Sequence, residues 1–177
     1  REAAAREALL ARRPRTAWSF ASLASEHRGA GPQSYWMEQA ERLAEAGRTD
    51  AAVACLNAAA DSESAAHRAA VRTRLAHILA EADRHSEAAD AIEPLIDTET
   101  GPDARANIAT DYLRYLMLAG RFREAALTGE RLAFDESLGR HGPSVLYATW
   151  LAQRQLGDRE RIMATESRFL AEYPDHA

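Results

Sequence analysis

The chain has 177 residues, a formal net charge of −5 and 46% hydrophobic residues, enough for one domain whose core needs no metal or disulfide. All 22 basic residues are arginine, and the acidic balance argues against a nucleic-acid-binding surface, which is normally basic. The single cysteine, Cys55, excludes an internal disulfide and a zinc finger, and no apolar run is long enough to span a bilayer.

The composition and the apolar periodicity both predict helices. Alanine, leucine, glutamate and arginine are abundant, and all four favour helix formation. Apolar residues recur every three or four positions, as in amphipathic helices. This pattern predicts helices at about 2–12, 16–28, 33–46, 50–60, 64–82, 86–97, 103–119, 122–134, 143–156 and 159–172. Because Arg1 already lies inside such a pattern, we expect the chain to be part of a longer protein.

Four similar turn segments interrupt this pattern at regular intervals. Gly47, Asp83, Gly120 and Gly157 are separated by 36, 37 and 37 residues. Glycine favours the left-handed backbone conformation that ends many helices, and a small polar residue such as aspartate tolerates it. The repeating unit is therefore predicted to be a helix, a tight turn and a second helix.

The residues around these turns resemble the tetratricopeptide repeat (TPR), whose unit has about 34 residues. The first unit matches the family's signature positions with Trp36, Ala40, Leu43, Gly47, Ala52, Leu56 and Ala59. The later units match fewer positions: Leu113 and Trp150 replace a small residue of the first helix, and Gly129 and Glu166 replace the residue equivalent to Leu56 and Ile92.

This resemblance implies an all-α fold, a right-handed α-solenoid of antiparallel helix pairs with about ten helices. Residues 1–31 would form a partial, irregular N-terminal repeat. Residues 32–177 would form four TPR-like pairs, at about 33–64, 64–100, 102–137 and 143–177.

The first helix of each TPR unit lines the concave face of the array, which suits an extended peptide or a partner's helix. The resemblance therefore implies a partner-binding set made of Met37, Glu41, His77, Glu81, Arg114, Met117, Tyr147 and Arg154. Solvated helix faces are the alternative interpretation for each of these residues. Among the aromatic residues, Trp36 and Tyr112 are predicted to pack in the core, whereas Tyr115 and Tyr147 are predicted to contact a partner.

The sequence contains no recognisable catalytic or cofactor-binding motif. No two histidines lie three or four residues apart, so no helix presents a histidine pair to a metal. Cys55 falls inside a predicted helix, where a buried and inert thiol is expected. We therefore predict a chain that is not an enzyme, without catalytic residues, metal or cofactor.

The leading hypothesis for function is a protein–protein interaction scaffold, with another protein in the concave groove and no binding of nucleic acid or insertion into a membrane. The segment 35–44, Tyr-Trp-Met-Glu-Gln-Ala-Glu-Arg-Leu-Ala, is similar to periplasmic TPR regions of bacterial exopolysaccharide export proteins. That similarity implies a periplasmic location, with the cytoplasm as the alternative. A peptide-sensing module that controls an attached catalytic or DNA-binding domain is the alternative function. Homodimerisation through a solenoid end is also predicted.

Overall fold

A computed structural model describes residues 32–60, 65–98, 101–135, 138 and 142–174. Over these ranges the chain is all-helical and has no strands. The helices are α1 (Pro32–Glu45), α2 (Thr49–Ala60), α3 (Ala65–Glu81), α4 (His85–Ile92), α5 (Pro102–Leu118), α6 (Phe122–Ala133), α7 (Gly142–Leu156) and α8 (Arg159–Glu172), with a 3-10 helix at Glu93–Leu95.

The eight helices predicted between residues 33 and 172 are confirmed, and nearly every boundary agrees to within one residue. The exception is the helix predicted over 86–97. Its α-helical part ends at Ile92 and a 3-10 helix follows, since Pro94 has no N–H to continue the hydrogen-bond ladder. The helices predicted at 2–12 and 16–28, and the partial repeat at 1–31, lie outside the described residues.

The four repeated turns share one backbone geometry. Gly47, Asp83, Gly120 and Gly157 all have left-handed φ angles, of 69°, 59°, 73° and 71°. After Gly47, the N–H of Arg48 donates to the Leu43 carbonyl at 2.8 Å, which closes the last turn of α1 in the manner of a Schellman cap. The equivalent bonds run from Arg121 to Leu116 and from Asp158 to Gln153. The prediction that these residues end helices is therefore confirmed.

The chain divides into two compact units, Arg1–Asp83 and Arg84–Ala177. In the first, α2 packs against both α1 and α3. Large and small side chains alternate in its core, which contains Trp36, Ala40, Ala52, Cys55, Leu56, Ala59, Val71 and Ala76, all with 0% exposure. The small residues let the helices approach closely and the indole of Trp36 fills the remaining space. The predicted packing role of Trp36 is confirmed.

In the second unit, each helix from α4 to α8 packs against the next, and α5 also contacts α7. The core is built on Ile92, Ile96, Tyr112, Leu113, Tyr115, Leu116, Leu132 and Leu146, all of them buried. Tyr112 packs as predicted, but the partner contact predicted for Tyr115 is wrong. Only 1% of Tyr115 is exposed, because α5 is covered by neighbouring helices on more than one side.

A polar network joins α4, α5 and α6 at the edge of this core. The guanidinium of Arg121 binds both carboxylate oxygens of Glu124, at 2.8 and 2.9 Å, and also pairs with Asp90. The hydroxyl of Tyr112 donates to Glu124 at 2.8 Å. Burial raises the pKa of Tyr112, and the hydrogen bond to Glu124 raises it further. The network thus satisfies the one polar atom of a buried ring.

Burial also controls the chemistry of Cys55. The residue has no exposed surface, and this burial raises the pKa of its thiol to about 12. A thiol in this environment carries almost no thiolate near neutral pH, so it is a poor nucleophile. We expect Cys55 to remain unmodified by Ellman's reagent in the native chain and to react at once in urea.

The same burial predicts a dependence of stability on alkaline pH. Above pH 9.0, the ordinary value for the thiol, the unfolded chain loses the Cys55 proton while the native chain keeps it. The free energy of unfolding should therefore fall as pH rises from 9 toward 12, by up to about 1.4 kcal/mol per pH unit. Urea denaturation at pH 8, 9 and 10 measures the slope. The Cys55→Ala variant should show a smaller slope, because only Tyr112, whose pKa is also raised, then contributes near pH 10. Equal slopes in both proteins would contradict the assignment.

Candidate docking site

An open groove lies between α7 and α8 in the second unit. Its walls are Leu146, Tyr147 and Trp150 from α7, and Thr165, Glu166, Phe169 and Leu170 from α8. On each helix these residues are either adjacent or three or four positions apart, so they lie on one face. We call this set the aromatic groove. Its volume is ≈ 290 Å³, and its surface is mostly apolar.

The aromatic groove contains exposed apolar side chains. Tyr147 is 57% exposed and Leu170 is 58% exposed, while Trp150 and Phe169 are half-buried. Single exposed apolar residues are common on soluble proteins, but a contiguous and concave set is typical of a binding surface. The exposure of Tyr147 is compatible with the partner contact predicted for this residue, and that contact stays a prediction.

Three side chains of α7 form a stack along one edge of the groove. The Tyr147 and Trp150 rings lie 5.9 Å apart between centroids, inclined at 26°. The guanidinium carbon of Arg154 lies 4.6 Å from the centroid of the Trp150 ring. A guanidinium over an indole face is attracted by the ring quadrupole. The stack therefore limits the rotation of all three side chains.

A hydrogen bond ties this stack to α8. The indole Nε1 of Trp150 donates to Oε1 of Glu166 at 2.8 Å. Trp150 occupies the position where the TPR pattern has a small residue, and Glu166 occupies the position equivalent to Leu56 and Ile92. The two departures from the repeat pattern therefore meet in space. Together they fix the indole at the wall of the groove.

The arginines near Trp150 differ in whether they form ion pairs. Arg154 is exposed and makes no ion pair with any residue that the structure describes. Two of the three arginines of α8 are paired: Arg161 contacts Glu130 at 3.2 Å, and Arg168 contacts Glu172 at 2.7 Å. The donors of Arg154 are thus directed to solvent beside the aromatic groove, while the carboxylate of Glu166 lines the groove itself.

A second pocket, of ≈ 360 Å³, lies among α6, α7 and α8 and has a different character. Gln153 is 1% exposed and donates through Nε2 to Glu130 at 3.0 Å, and Arg161 binds the same carboxylate. Arg168 donates to the carbonyl of Ala133 at 2.6 Å and lies 4.2 Å from the centroid of the Phe134 ring. The charged groups of this pocket form ion pairs and hydrogen bonds with each other and with the backbone. These contacts chiefly stabilise the packing of α8 against its neighbours.

The residues predicted to bind a partner are distributed over both units. Tyr147 and Arg154 come together on Trp150, whereas Arg114 and Met117 lie on α5. Arg114 contacts its own helix, pairing with Asp111 at 2.8 Å and lying 5.0 Å from the centroid of the Tyr115 ring.

The other four belong to the first unit. Met37, Glu41 and His77 are half-buried, Glu81 is exposed, and Glu41 pairs with Arg74 at 3.3 Å. A single face that includes residues of both units stays a prediction.

The sequence interpretation did not include Trp150, Glu166, Phe169 and Leu170, which line the groove together with Tyr147. Aromatic residues at helical spacing are usually core residues, so the sequence analysis did not select Trp150 as a candidate for partner contact. The available signal was the pair of departures at Trp150 and Glu166, because a bulky ring and a charge at these positions cannot pack as the regular repeat does.

Within the described ranges, no group of three or more His, Cys, Asp or Glu side chains is arranged to hold a metal ion. No described helix is both long and apolar enough to cross a membrane. Comparisons of this chain with protein-family models, with curated proteins and with solved structures found no match.

Proposed function

We propose that this chain is a non-catalytic protein-interaction module, a TPR-like array of helix pairs that docks a segment of a partner protein in the aromatic groove. The right-handed solenoid of antiparallel pairs belongs to this proposal. It is supported by the common geometry of the four turns, which recur every 36 or 37 residues with left-handed φ angles between 59° and 73°. Equal turns at a steady spacing favour a regular stack.

The observation that carries the docking function is the exposed, preformed set of aromatic side chains between α7 and α8. Tyrosine and tryptophan supply large contact areas with few rotatable bonds, and they dominate the binding energy of protein interfaces. Because Trp150 is held by Glu166 and Arg154, it loses little freedom when a partner covers it. Such preorganisation lowers the entropic cost of association.

The proposed occupant of the groove is a chain segment of the partner protein. Two helices contribute the walls of the groove, so the apolar residues of a partner's helix or extended strand can lie between them. The periplasmic location and the role in exopolysaccharide export stay predictions from segment 35–44, and docking in the groove requires neither.

Site-specific photo-cross-linking tests the docking function. A benzophenone amino acid replaces Tyr147 in the groove or, as a control, Leu127, which is 49% exposed on α6 and lines neither pocket. In an extract of the organism that encodes the chain, we expect one protein to cross-link to position 147 and not to position 127.

That protein, once purified, should bind the wild type in isothermal titration calorimetry and should bind the Tyr147→Ala variant at least about tenfold more weakly, as expected for an interface hot spot. Equal cross-linking at both positions, or equal affinity for the wild type and Tyr147→Ala, would remove the aromatic groove as the docking site.

A further inference from the structure

We infer that the partner segment is acidic beside its apolar anchor: an apolar side chain fills the aromatic groove, and a neighbouring aspartate or glutamate of the partner pairs with Arg154. This inference rests on the proposed docking function and specifies the chemistry of the partner at the same site.

The position and exposure of Arg154 support the inference that the partner carries an acidic residue. Its guanidinium carbon lies 4.6 Å from the centroid of the Trp150 ring, the residue is exposed, and no ion pair joins it to a described carboxylate. Stacking uses the face of the guanidinium and leaves its edge donors available, and these match the two oxygens of a carboxylate. Because the stack already restrains this side chain, pairing with a carboxylate requires little further ordering.

Arg154 differs in this respect from Arg161 and Arg168 of the neighbouring helix α8. Arg161 is shared between Glu130 and Asp158, at 3.2 Å from each, and Arg168 pairs with Glu172. A partner's carboxylate would have to compete with these acidic groups. At Arg154 it meets no such competition from the described residues.

Glu166 determines the direction in which the partner segment lies in the groove. Its carboxylate binds the edge of the Trp150 indole and lines the groove, so the indole has a cation over its face and an anion at its nitrogen. A partner's acidic residue is attracted on the Arg154 side and repelled on the Glu166 side. The anchor and the acidic residue therefore lie in one order along the groove.

A random dodecapeptide library displayed on phage tests this chemistry without a known partner. Selection on the wild-type chain should enrich peptides with an aspartate or glutamate at a constant spacing from a large apolar residue. Selection on Arg154→Met, which keeps the apolar stem and removes the charge, should keep the apolar residue and lose the acidic preference.

Fluorescence anisotropy with one selected peptide measures how much the Arg154 charge contributes to binding affinity. Arg154→Met should weaken binding by about tenfold or more, as for other hot-spot arginines. Arg123→Met is the matched control, because Arg123 is also exposed and lies on α6 away from the groove, and it should bind like the wild type. Arg154→Glu should bind poorly, and a peptide with lysine in place of its acidic residue should recover affinity for that variant.

The outcomes separate the two proposals. If the selected peptides depend on Leu170, lost in Leu170→Ser, but show no acidic preference and bind Arg154→Met normally, the acidic partner is wrong and docking in the groove stands. If no selected peptide is affected by Leu170→Ser, the docking site itself is wrong.

Discussion

Replacing Gly129 with alanine is expected to lower the free energy of unfolding by about 1–3 kcal/mol, as overpacking of a core does. Gly129 is buried in α6, where α6 crosses α7. An added Cβ would lie 2.0 Å from Oγ1 and 2.9 Å from Cβ of Thr149. Thr149 is 1% exposed, and its hydroxyl donates to the Val145 carbonyl at 2.7 Å, so the helices must separate to admit the methyl group.

At an open helical position, replacing glycine with alanine raises the free energy of unfolding by up to about 1 kcal/mol. A loss at Gly129 would therefore have the opposite sign, which makes the test decisive. Urea denaturation of the wild type, Gly129→Ala, Thr149→Ala and the double variant completes a cycle. Thr149→Ala removes two of the three nearest atoms, so the double variant should recover part of the loss. A stabilised Gly129→Ala variant would contradict the close approach of α6 and α7.

The second large effect is expected at two buried alanines near the start of α2 and α4, each five residues after a left-handed turn residue. Ala52 in the first unit and Ala88 in the second both have 0% exposure. Leucine at either position adds three carbon atoms to a closely packed site, which should cost about 1–3 kcal/mol. Thermal or urea denaturation measures the loss.

Two exposed alanines provide controls for these variants. Ala70→Leu in α3 and Ala104→Leu in α5 add the same side chain at exposed positions of each unit, and both should remain close to the wild type. If Ala52→Leu and Ala88→Leu behaved like their controls, the alignment of the repeats on their turn residues would be wrong.

Local features of the fold were predictable from the sequence because they have local causes. The glycines at 47, 120 and 157 allow the left-handed conformation that closes a helix, and Asp83 tolerates it, so the turn positions follow from residue type alone. Helical periodicity then gives the helices on either side. The shortened α4 is the same kind of effect, since it depends on Pro94, and attention to that residue would have predicted it.

Features that depend on which helices meet were not predictable in this way. Leu127 belongs to the apolar pattern of α6 and yet is 49% exposed, whereas Tyr115, expected at the surface, is buried. A helix shows its apolar face in the sequence, but the number of neighbours that cover that helix is a property of the tertiary packing. Tyr115 is covered because α5 contacts α4, α6 and α7.

The aromatic groove was predictable only in part. Tyr147 and Arg154 were predicted from the repeat register, and the structure places both beside Trp150. The groove residues Phe169 and Leu170 of α8 were not predicted, because they have the spacing of ordinary core residues. Trp150 and Glu166 interrupt the repeat pattern, and their hydrogen bond shows that the interruption has a structural role in holding the indole.

The most direct test of the docking function compares two exposed leucines of the second unit. Leu170 lines the aromatic groove and is 58% exposed, and Leu127 is 49% exposed and lies outside it. Calorimetric titration of the cross-linked partner protein should show that Leu170→Ser weakens binding by about tenfold, a loss of about 1.4 kcal/mol, while Leu127→Ser leaves the affinity unchanged. Equal affinity of both variants, or a loss confined to Leu127→Ser, would contradict docking in the groove.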